Sequence, residues 1–225
     1  MAEDPAIRRH RERHIRQGDV DNSRLGRHRG SFIEVMSHCS VSLTCVAYSI
    51  RTFGDPVLKT KAVPITDVDG KLVRLVDDMF TTLLESDLGI ALAAPQIGVQ
   101  KQIFVWDLDG EQQVIFNPEI VESDGEWVYD EGCLSIPGLY VEMVRPKTVL
   151  MRGIDLDGNV VEREADELEA RMYQHELDHL HGVLMFDRMT PAQRKEAIAE
   201  YRRLQQEAEQ GAAGAAPRRR RLRLK

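Results

Sequence analysis

Apolar residues recur at helical spacing directly after Gly70. Spacings of three and four put one apolar stripe along a helix, so this segment is predicted to form an amphipathic helix. We expect it to end near Leu88-Gly89, because glycine commonly follows a last helical turn. The stripe consists of Leu72, Leu75, Val76, Met79, Phe80, Leu83 and Leu84.

Short segments rich in Val, Ile, Phe and Tyr follow this helix and are predicted to be strands. They are Gln102–Asp107, Gln113–Phe116, Glu126–Tyr129, Leu139–Val144, Thr148–Ile154 and Asn159–Val161. Asp109-Gly110 and Asp157-Gly158 are hairpin signals, so the sheets should be largely antiparallel. The two Asp-Leu-Asp-Gly sequences lack the remaining ligands of a twelve-residue calcium loop, which favours hairpin turns.

Two further helices are predicted towards the C-terminus. Asp166 and Glu169 have the spacing of a capping box, and this second helix should stop at Gly182. The third begins at Thr190-Pro191, a cap followed by a first-turn proline. The order of elements predicts an α+β single domain, in which mainly antiparallel strands pack around a central helix and between N-terminal and C-terminal helices.

Length and composition favour one folded domain with tails. The 225 residues are 42% hydrophobic and 30% charged, which excludes collagen-like and wholly disordered chains. We expect residues 1–45 to be a disordered extension, 46–210 the domain and 211–225 a basic disordered tail. Because the pattern changes near Val46, we also expect the native chain to start at Val46 or Met36, which an intact mass would test.

Charge is divided unevenly along the chain. Residues 51–210 carry sixteen bases against thirty-one acids, a net charge of −15, whereas residues 211–225 carry six bases and no acid. An acidic domain does not fit binding of DNA, since phosphate contacts need clustered Lys and Arg. A solvated end is the preferred interpretation of the tail, and contact with ribosomal RNA is the sharper alternative.

Neither a membrane span nor a secreted disulfide framework is expected. No apolar run reaches the roughly 18 residues that a membrane helix needs. The cysteines are few and odd in number, at positions 39, 45 and 133. This usage favours a reducing compartment, and we expect a cytoplasmic protein.

The second predicted helix carries the strongest chemical signal. His175 and His179 lie on the same stripe as Leu168 and Met172, and Glu176 completes a His-Glu-x-x-His sequence. Two imidazoles one turn apart can hold a divalent ion that lowers the pKa of a bound water towards ~7. The adjacent carboxylate would then take the proton and later donate it.

A third protein ligand is needed, and the residues alone leave its identity open. One class of zinc peptidase has the longer pattern His-Glu-x-x-His-x-x-Gly-x-x-His. This chain has Met185 where that pattern has its third histidine, which argues against that class. Glu196 and Glu200 lie at a suitable separation, but both also fit the solvated face of a helix. Cys133 follows a predicted strand. As a metal ligand it would complete a set of two nitrogens and one sulfur. The alternative is a buried cysteine with a structural role only.

Three segments, in this order, resemble the peptide deformylase family. They are Gly89–Gln96 (GIALAAPQ), Glu131–Ser135 (EGCLS) and Gln174–His179 (QHELDH). The segment Phe53–Leu58 is also similar to the family's opening. The similarity extends over roughly residues 48–203 and leaves only the two ends uncovered.

The resemblance implies a metal-dependent hydrolase that removes the formyl group from N-formylmethionine of nascent polypeptides. Cys133, His175 and His179 would be the metal ligands. Iron(II) is the favoured ion, and zinc, nickel or cobalt are possible substitutes. The alternatives are a metallopeptidase with a downstream Glu ligand, and an inactive metal-binding module that is ribosome-associated through its basic tail.

The resemblance also assigns roles around the ion. Glu176 would be the general base and then the acid, while Gln96 and the backbone N–H of Leu134 would stabilise the oxyanion. Plausible walls of the methionine pocket are Ile90, Tyr129, Leu168 and Met172. Ala91 replaces a glycine that is usual in the family; at a positive φ it would cost on the order of 1 kcal/mol and its methyl group would crowd the peptide, so lower activity is expected.

Overall fold

Three helices and eight strands make up the part of the chain that the computed structural model describes, namely residues 46–86, 89–108, 110–211 and 220–222. The helices are α1 Gly70–Glu85, α2 Glu167–Leu180 and α3 Pro191–Gly211. The strands are β1 Ala91–Ala93, β2 Ile103–Leu108, β3 Glu111–Asp124, β4 Trp127–Cys133, β5 Ile136–Arg145, β6 Thr148–Ile154, β7 Val160–Asp166 and β8 Arg220–Leu222. The expected N-terminal extension, residues 1–45, lies outside the described residues.

Two sheets form the α+β fold that the sequence predicted. One has the strand order β1-β2-β3-β6-β7 with antiparallel neighbours, and the other has the order β4-β5-β8. Both predicted Asp-Gly hairpins are present, as β2–β3 and β6–β7. The exception to antiparallel pairing within the two sheets is β8, which runs parallel to β5.

Strand β3 is much longer than its prediction, which stopped at Phe116 before an Asn-Pro pair. It continues to Asp124 because the pairing with β6 shifts register between Phe116 and Glu119. Asn117 takes a positive φ of 48° at this irregularity. Its side chain donates to the carbonyl of Ile65 and accepts from the Ile65 N–H. These two hydrogen bonds connect the irregular part of β3 to the backbone of Ile65.

Helix α1 forms where the hydrophobic pattern placed it. The Asp69 carboxylate accepts from the N–H groups of Lys71 and Leu72 and so satisfies the first turn. Six of the seven stripe residues pack on the five-stranded sheet, in a core cluster that includes Leu92 and Phe116, whereas Leu84 is 62% exposed and lies outside this cluster. The helix ends at Glu85, three residues before the predicted end.

Helix α2 is the central element, and it begins after Asp166 as predicted, but without the predicted capping hydrogen bonds. Asp166 occupies the N-cap position, but its side chain makes no capping hydrogen bond, so the capping box is wrong. The Glu169 carboxylate instead accepts from the Tyr173 hydroxyl. The helix ends at Leu180, and Gly182 follows with a φ of +70°, donating to the carbonyl of His179.

Gly182 should be intolerant of a side chain. A Cβ there would lie 2.8 Å from the backbone carbonyl carbon and oxygen of Lys59, and φ is in the left-handed region. We expect Gly182→Ala to lower the free energy of unfolding by more than the ~1–2 kcal/mol that this conformation costs alanine. Thermal denaturation of Gly182→Ala and Gly158→Ala tests this, because Gly158 has a φ of +81° but no atom within 4 Å. Equal loss in both variants would contradict a role for the contact with Lys59.

The C-terminal part holds one confirmed helix and one unexpected strand. The Thr190 carbonyl and hydroxyl accept from N–H groups in the first turn of α3, as the cap predicted. Within the tail that was expected to be disordered, Arg220–Leu222 form β8, and the rest of that tail after Gly211 lies outside the described residues. In the part of the chain that the structure describes, no helix combines the length and hydropathy needed to cross a bilayer.

Candidate metal centre

One cysteine and two histidines converge where β4 ends beside α2. The Cys133 sulfur and one nitrogen from each of His175 and His179 all lie within 4.8 Å of one another. The sulfur is 3.2 Å from Nε2 of His179. Spacing on α2 brings the two rings together, and the fold brings the cysteine to them.

A tight hairpin between β4 and β5 presents the cysteine. Gly132 pairs with Tyr140, and the register then shifts so that Cys133 pairs with Ile136. This irregularity turns the chain directly after the sulfur-bearing residue. Alternation along β4 puts Glu131 on the same face as Cys133.

Glu131 anchors one of the two imidazoles, a role that the sequence interpretation missed. Its Oε1 lies 2.7 Å from Nδ1 of His175. An ionised carboxylate can only accept, so Nδ1 carries the proton and Nε2 is the nitrogen left for a ligand. Arg145 donates twice to the same carboxylate at 2.6 Å, and Arg171 donates once at 2.9 Å.

Arg145 joins this anchor to a second buried acid. Its remaining terminal nitrogen donates to Asp178 at 3.0 Å, and Arg188 also pairs with Asp178. The side chains of Arg145 and Glu131 are each 4% exposed, so their charges are removed from water and compensated by one another. Glu131 and Asp178 stand within two of the segments that resemble the family, but nothing in the local sequence indicates that Arg145 joins them.

The electrostatics favour positive charge beside Cys133. Burial lowers the pKa of His175, but the neighbouring Cys133 and Glu131 raise it, and the result lies well above the ordinary value. Burial and the charge of His175 hold the pKa of His179 well below its ordinary value. Burial also raises the pKa of Glu131, but Arg145 and His175 outweigh it and the pKa is well below normal.

The donor set fits a catalytic metal ion. A thiolate with two imidazoles gives three protein ligands and leaves a fourth position for water or substrate, as catalytic sites require. Among the described residues, the buried Oε2 of Glu176 beside this set has no hydrogen-bond partner. An unsatisfied buried carboxyl oxygen indicates a group at this site that the protein does not itself supply.

Glu176 lies within this centre with its carboxyl group desolvated. It is 4% exposed, and burial raises its pKa to about 7, although the charge of His175 and the backbone of Ala93 act in the opposite direction. A carboxyl group with a pKa near neutrality can both accept and return a proton.

Gln96 and Leu134 also lie beside the sulfur, as the resemblance implied. The Gln96 Oε1 accepts from the N–H of Ala93 at 2.8 Å, which fixes the amide. Its Nε2 is 3.3 Å from the Ser135 hydroxyl and 3.8 Å from the Cys133 sulfur. Leu134 directly follows Cys133, and its side chain packs towards α1.

The Ala91 position does not carry the strain that was expected. It lies in β1, paired with Trp106, and among the described non-glycine residues only Asn117 and Glu167 have a positive φ. The expected backbone cost is therefore wrong. The crowding of a peptide by the methyl group of Ala91 stays a prediction.

The four residues expected to line the methionine pocket differ in burial. Ile90, Tyr129 and Leu168 are half-buried, which suits a pocket wall, whereas Met172 is 4% exposed and packs in the same core cluster as Trp106. The methionine pocket stays a prediction.

The downstream glutamates are not part of the centre. Glu196 is exposed, and Glu200 forms an ion pair with Arg203. In the residues that the structure describes, the possible metal-binding group contains neither. The metallopeptidase alternative with a downstream Glu ligand is therefore not favoured. Met185 is buried in the core, which agrees with its rejection as a ligand.

The fold and site together define a class of protein. A buried His-Glu-x-x-His helix facing a strand-end cysteine, with a desolvated glutamate between them, is typical of a metal-dependent hydrolase. The chain belongs to the polypeptide deformylase family, whose family model matches residues 47–195.

Relatives and solved structures agree with this assignment. The peptide deformylase of Thermotoga maritima is 44% identical over 148 residues, covering 65% of this chain and 90% of the relative. That of Acidothermus cellulolyticus is 46% identical over 153 residues, covering 68% and 84%. The crystal structure of a peptide deformylase from Legionella pneumophila matches with a TM-score of 0.69 and 37% identity, covering 76% of this chain and all of that one.

Proposed function

We propose that this chain removes the formyl group from N-formylmethionine at the start of nascent polypeptides. The observation that carries the proposal is the convergence of Cys133, His175 and His179 beside the buried Glu176. The family assignment supports the same reaction. The substrate is thus a formylated peptide, and the products are formate and a free N-terminal amine.

Cys133, His175 and His179 would hold one divalent ion. Iron(II) is the favoured ion, and zinc, nickel or cobalt suit the same mixture of sulfur and nitrogen ligands. When bound, the ion supplies Lewis-acid chemistry to the attacking water and the formyl oxygen. Glu131 contributes by fixing the tautomer of His175, so that its free nitrogen points to the sulfur.

Proton transfer and charge stabilisation are assigned to groups on the three motifs. Glu176 accepts a proton from the attacking water and later donates it to the departing amine nitrogen. The Gln96 amide and the Leu134 N–H donate to the formyl oxygen as negative charge develops on it. Gln96 is suited to this because its own carbonyl is already held by Ala93.

Location and partners follow from the substrate. A cytoplasmic enzyme would meet nascent chains as they leave the ribosome. Contact between the basic tail and ribosomal RNA is a further prediction, supported by the six bases after Gly211.

An anaerobic assay of the iron-loaded protein on a formyl-methionyl peptide tests the reaction directly. We expect stoichiometric release of formate together with a new free amine. A protein that holds one ion per chain but releases no formate would support the alternative of an inactive metal-binding module.

Cys133→Ala should abolish metal retention, because it removes the thiolate that completes the donor set. The measurement is metal content per chain after dialysis, with Cys45→Ala as the control that keeps a cysteine at position 133. We expect the control to retain one ion. Full retention by Cys133→Ala would show that the sulfur is not a ligand.

A further inference from the structure

Strand β8 lies along the outer edge of the hairpin that carries Cys133. Leu139, Tyr140 and Val141 of β5 pair with Arg220, Arg221 and Leu222 in turn. The opposite edge of β5 pairs with β4, so β5 has a neighbour on both sides. These backbone contacts cover an edge that would otherwise offer unpaired amides.

Side chains of β8 reach both faces of this sheet. Arg221 forms an ion pair with Asp130 of β4, across the intervening strand β5. Leu222 packs on the other face, against the core cluster that Cys133 also contacts and that includes Ile136 and Met185. The strand therefore touches β4 directly and the sulfur-bearing residue through shared neighbours.

Charge complementarity explains why this segment of the chain occupies the edge. Asp130 and Glu142 face each other in the β4–β5 register, which puts two acids on the outer face. The tail that contains β8 has six bases and no acid. Arg221 pairs with the first of these acids, with its side chain 53% exposed and that of Asp130 19% exposed.

Close packing connects β8 to the hairpin turn. A Cβ on Gly132 would lie 2.6 Å from Cε1 of Tyr140, so the aromatic ring rests directly on the backbone before Cys133. Tyr140 is also the residue that pairs with Arg221. Tyr140 thus lies between Arg221 of β8 and Gly132 of β4, the strand that ends at Cys133. A loss of β8 would remove the neighbour on one side of Tyr140.

We propose that β8 is a positioning element of the metal centre: Arg221, through Asp130, and Leu222 hold the β4–β5 hairpin so that the Cys133 sulfur and the Leu134 N–H keep their places. The proposal rests on the proposed function for its effect on turnover. Its effect on metal retention does not depend on that function.

A charge-reversal set on the zinc-loaded full chain tests the proposal. The variants are Arg221→Asp, Asp130→Arg and the double variant, with Arg218→Asp as a control that changes the tail charge equally. We expect each single variant at the pair to transfer zinc to a chelator about fivefold faster, the scale of one such ion pair. The double variant should return the rate to that of the unchanged protein, and Arg218→Asp should not alter it.

Hydrogen exchange and turnover separate positioning from general stability. In Arg221→Asp we expect faster amide exchange over residues 132–141 and a lower kcat on a formyl-methionyl peptide, with exchange in α1 unchanged. Deletion of residues 212–225 should produce the same pattern more strongly. If the unchanged protein shows no turnover, the proposed function fails, while zinc transfer and hydrogen exchange still decide the role of β8.

Two results would overturn the proposal. One is a zinc-transfer rate and hairpin exchange that are the same in Arg221→Asp, in the deletion and in the unchanged protein. The other is an equal effect of Arg221→Asp and Arg218→Asp on ribosome co-sedimentation with no effect on zinc transfer, which would identify the tail as an RNA-binding segment instead.

Discussion

Glu176→Gln should reduce kcat/KM for a formyl-methionyl peptide by about 10²–10⁴-fold, the range for loss of a general acid–base group. The amide keeps the shape of the side chain but cannot accept and return the proton. Because the Glu176 carboxyl is desolvated and its pKa is raised to about 7, replacing it with a neutral amide should not lower the melting temperature. Steady-state kinetics, metal content and thermal denaturation are the three measurements.

Glu169→Gln is the matched control, since it makes the same change on α2 away from the metal centre. Its carboxylate accepts from Tyr173, and Glu169 is not one of the three candidate metal ligands. We expect its kcat/KM to stay within a few-fold of the unchanged protein. Retention of activity by Glu176→Gln with a bound ion would remove Glu176 from the reaction.

Glu131→Gln should cause a large loss of stability for so conservative a change. It removes the charge that compensates Arg145 and Arg171 in the interior, and breaking one partner of a buried pair costs about 3–5 kcal/mol. It also weakens the anchor of His175, and such outer contacts are worth about 10–100-fold in metal affinity. Denaturant unfolding and competition with a chelator measure the two effects.

Glu162→Gln gives the comparison, because Glu162 pairs with Arg152 on the surface, where both side chains are about half exposed. An exposed pair contributes ~0–1 kcal/mol, so its loss should be small. If Glu131→Gln does not fold, Arg145→Lys keeps the charge and removes the bidentate geometry, and metal affinity should still fall. Equal stability losses at positions 131 and 162 would contradict the argument from burial.

Helix α1 and the hairpins are specified by residues that are close together in the sequence. The three-and-four spacing after Gly70 predicted α1, and Asp69 caps it within the same segment. The Asp-Gly hairpins were equally local. In contrast, β3 passes an Asn-Pro pair because Asn117 bonds to Ile65, a residue 52 positions away that no window of sequence contains.

Helix α2 shows where hydrophobic patterning fails. By residue type, Arg171, Glu176 and Asp178 belong on a solvated face, yet all three are buried. Arg171 and Asp178 are tolerated there because partners on other elements satisfy them, and Glu176 because burial raises its pKa towards neutrality. Strand β8 was missed for two reasons. The many bases of the tail indicated a solvated segment, although basic and apolar residues alternate in it, and the partners of β8, namely Asp130 and β5, are distant in the chain.

The sequence by itself indicated the two imidazoles, because histidines four residues apart share a helical face, whereas the cysteine and the glutamine were assigned through the resemblance of two further segments to the family. Only the tertiary structure decided what holds and tunes these groups. Glu131, Arg145, Asp178 and β8 act through contacts between segments far apart in the chain. Residue type states what a side chain can do, whereas burial and the partners brought by folding set its charge and orientation.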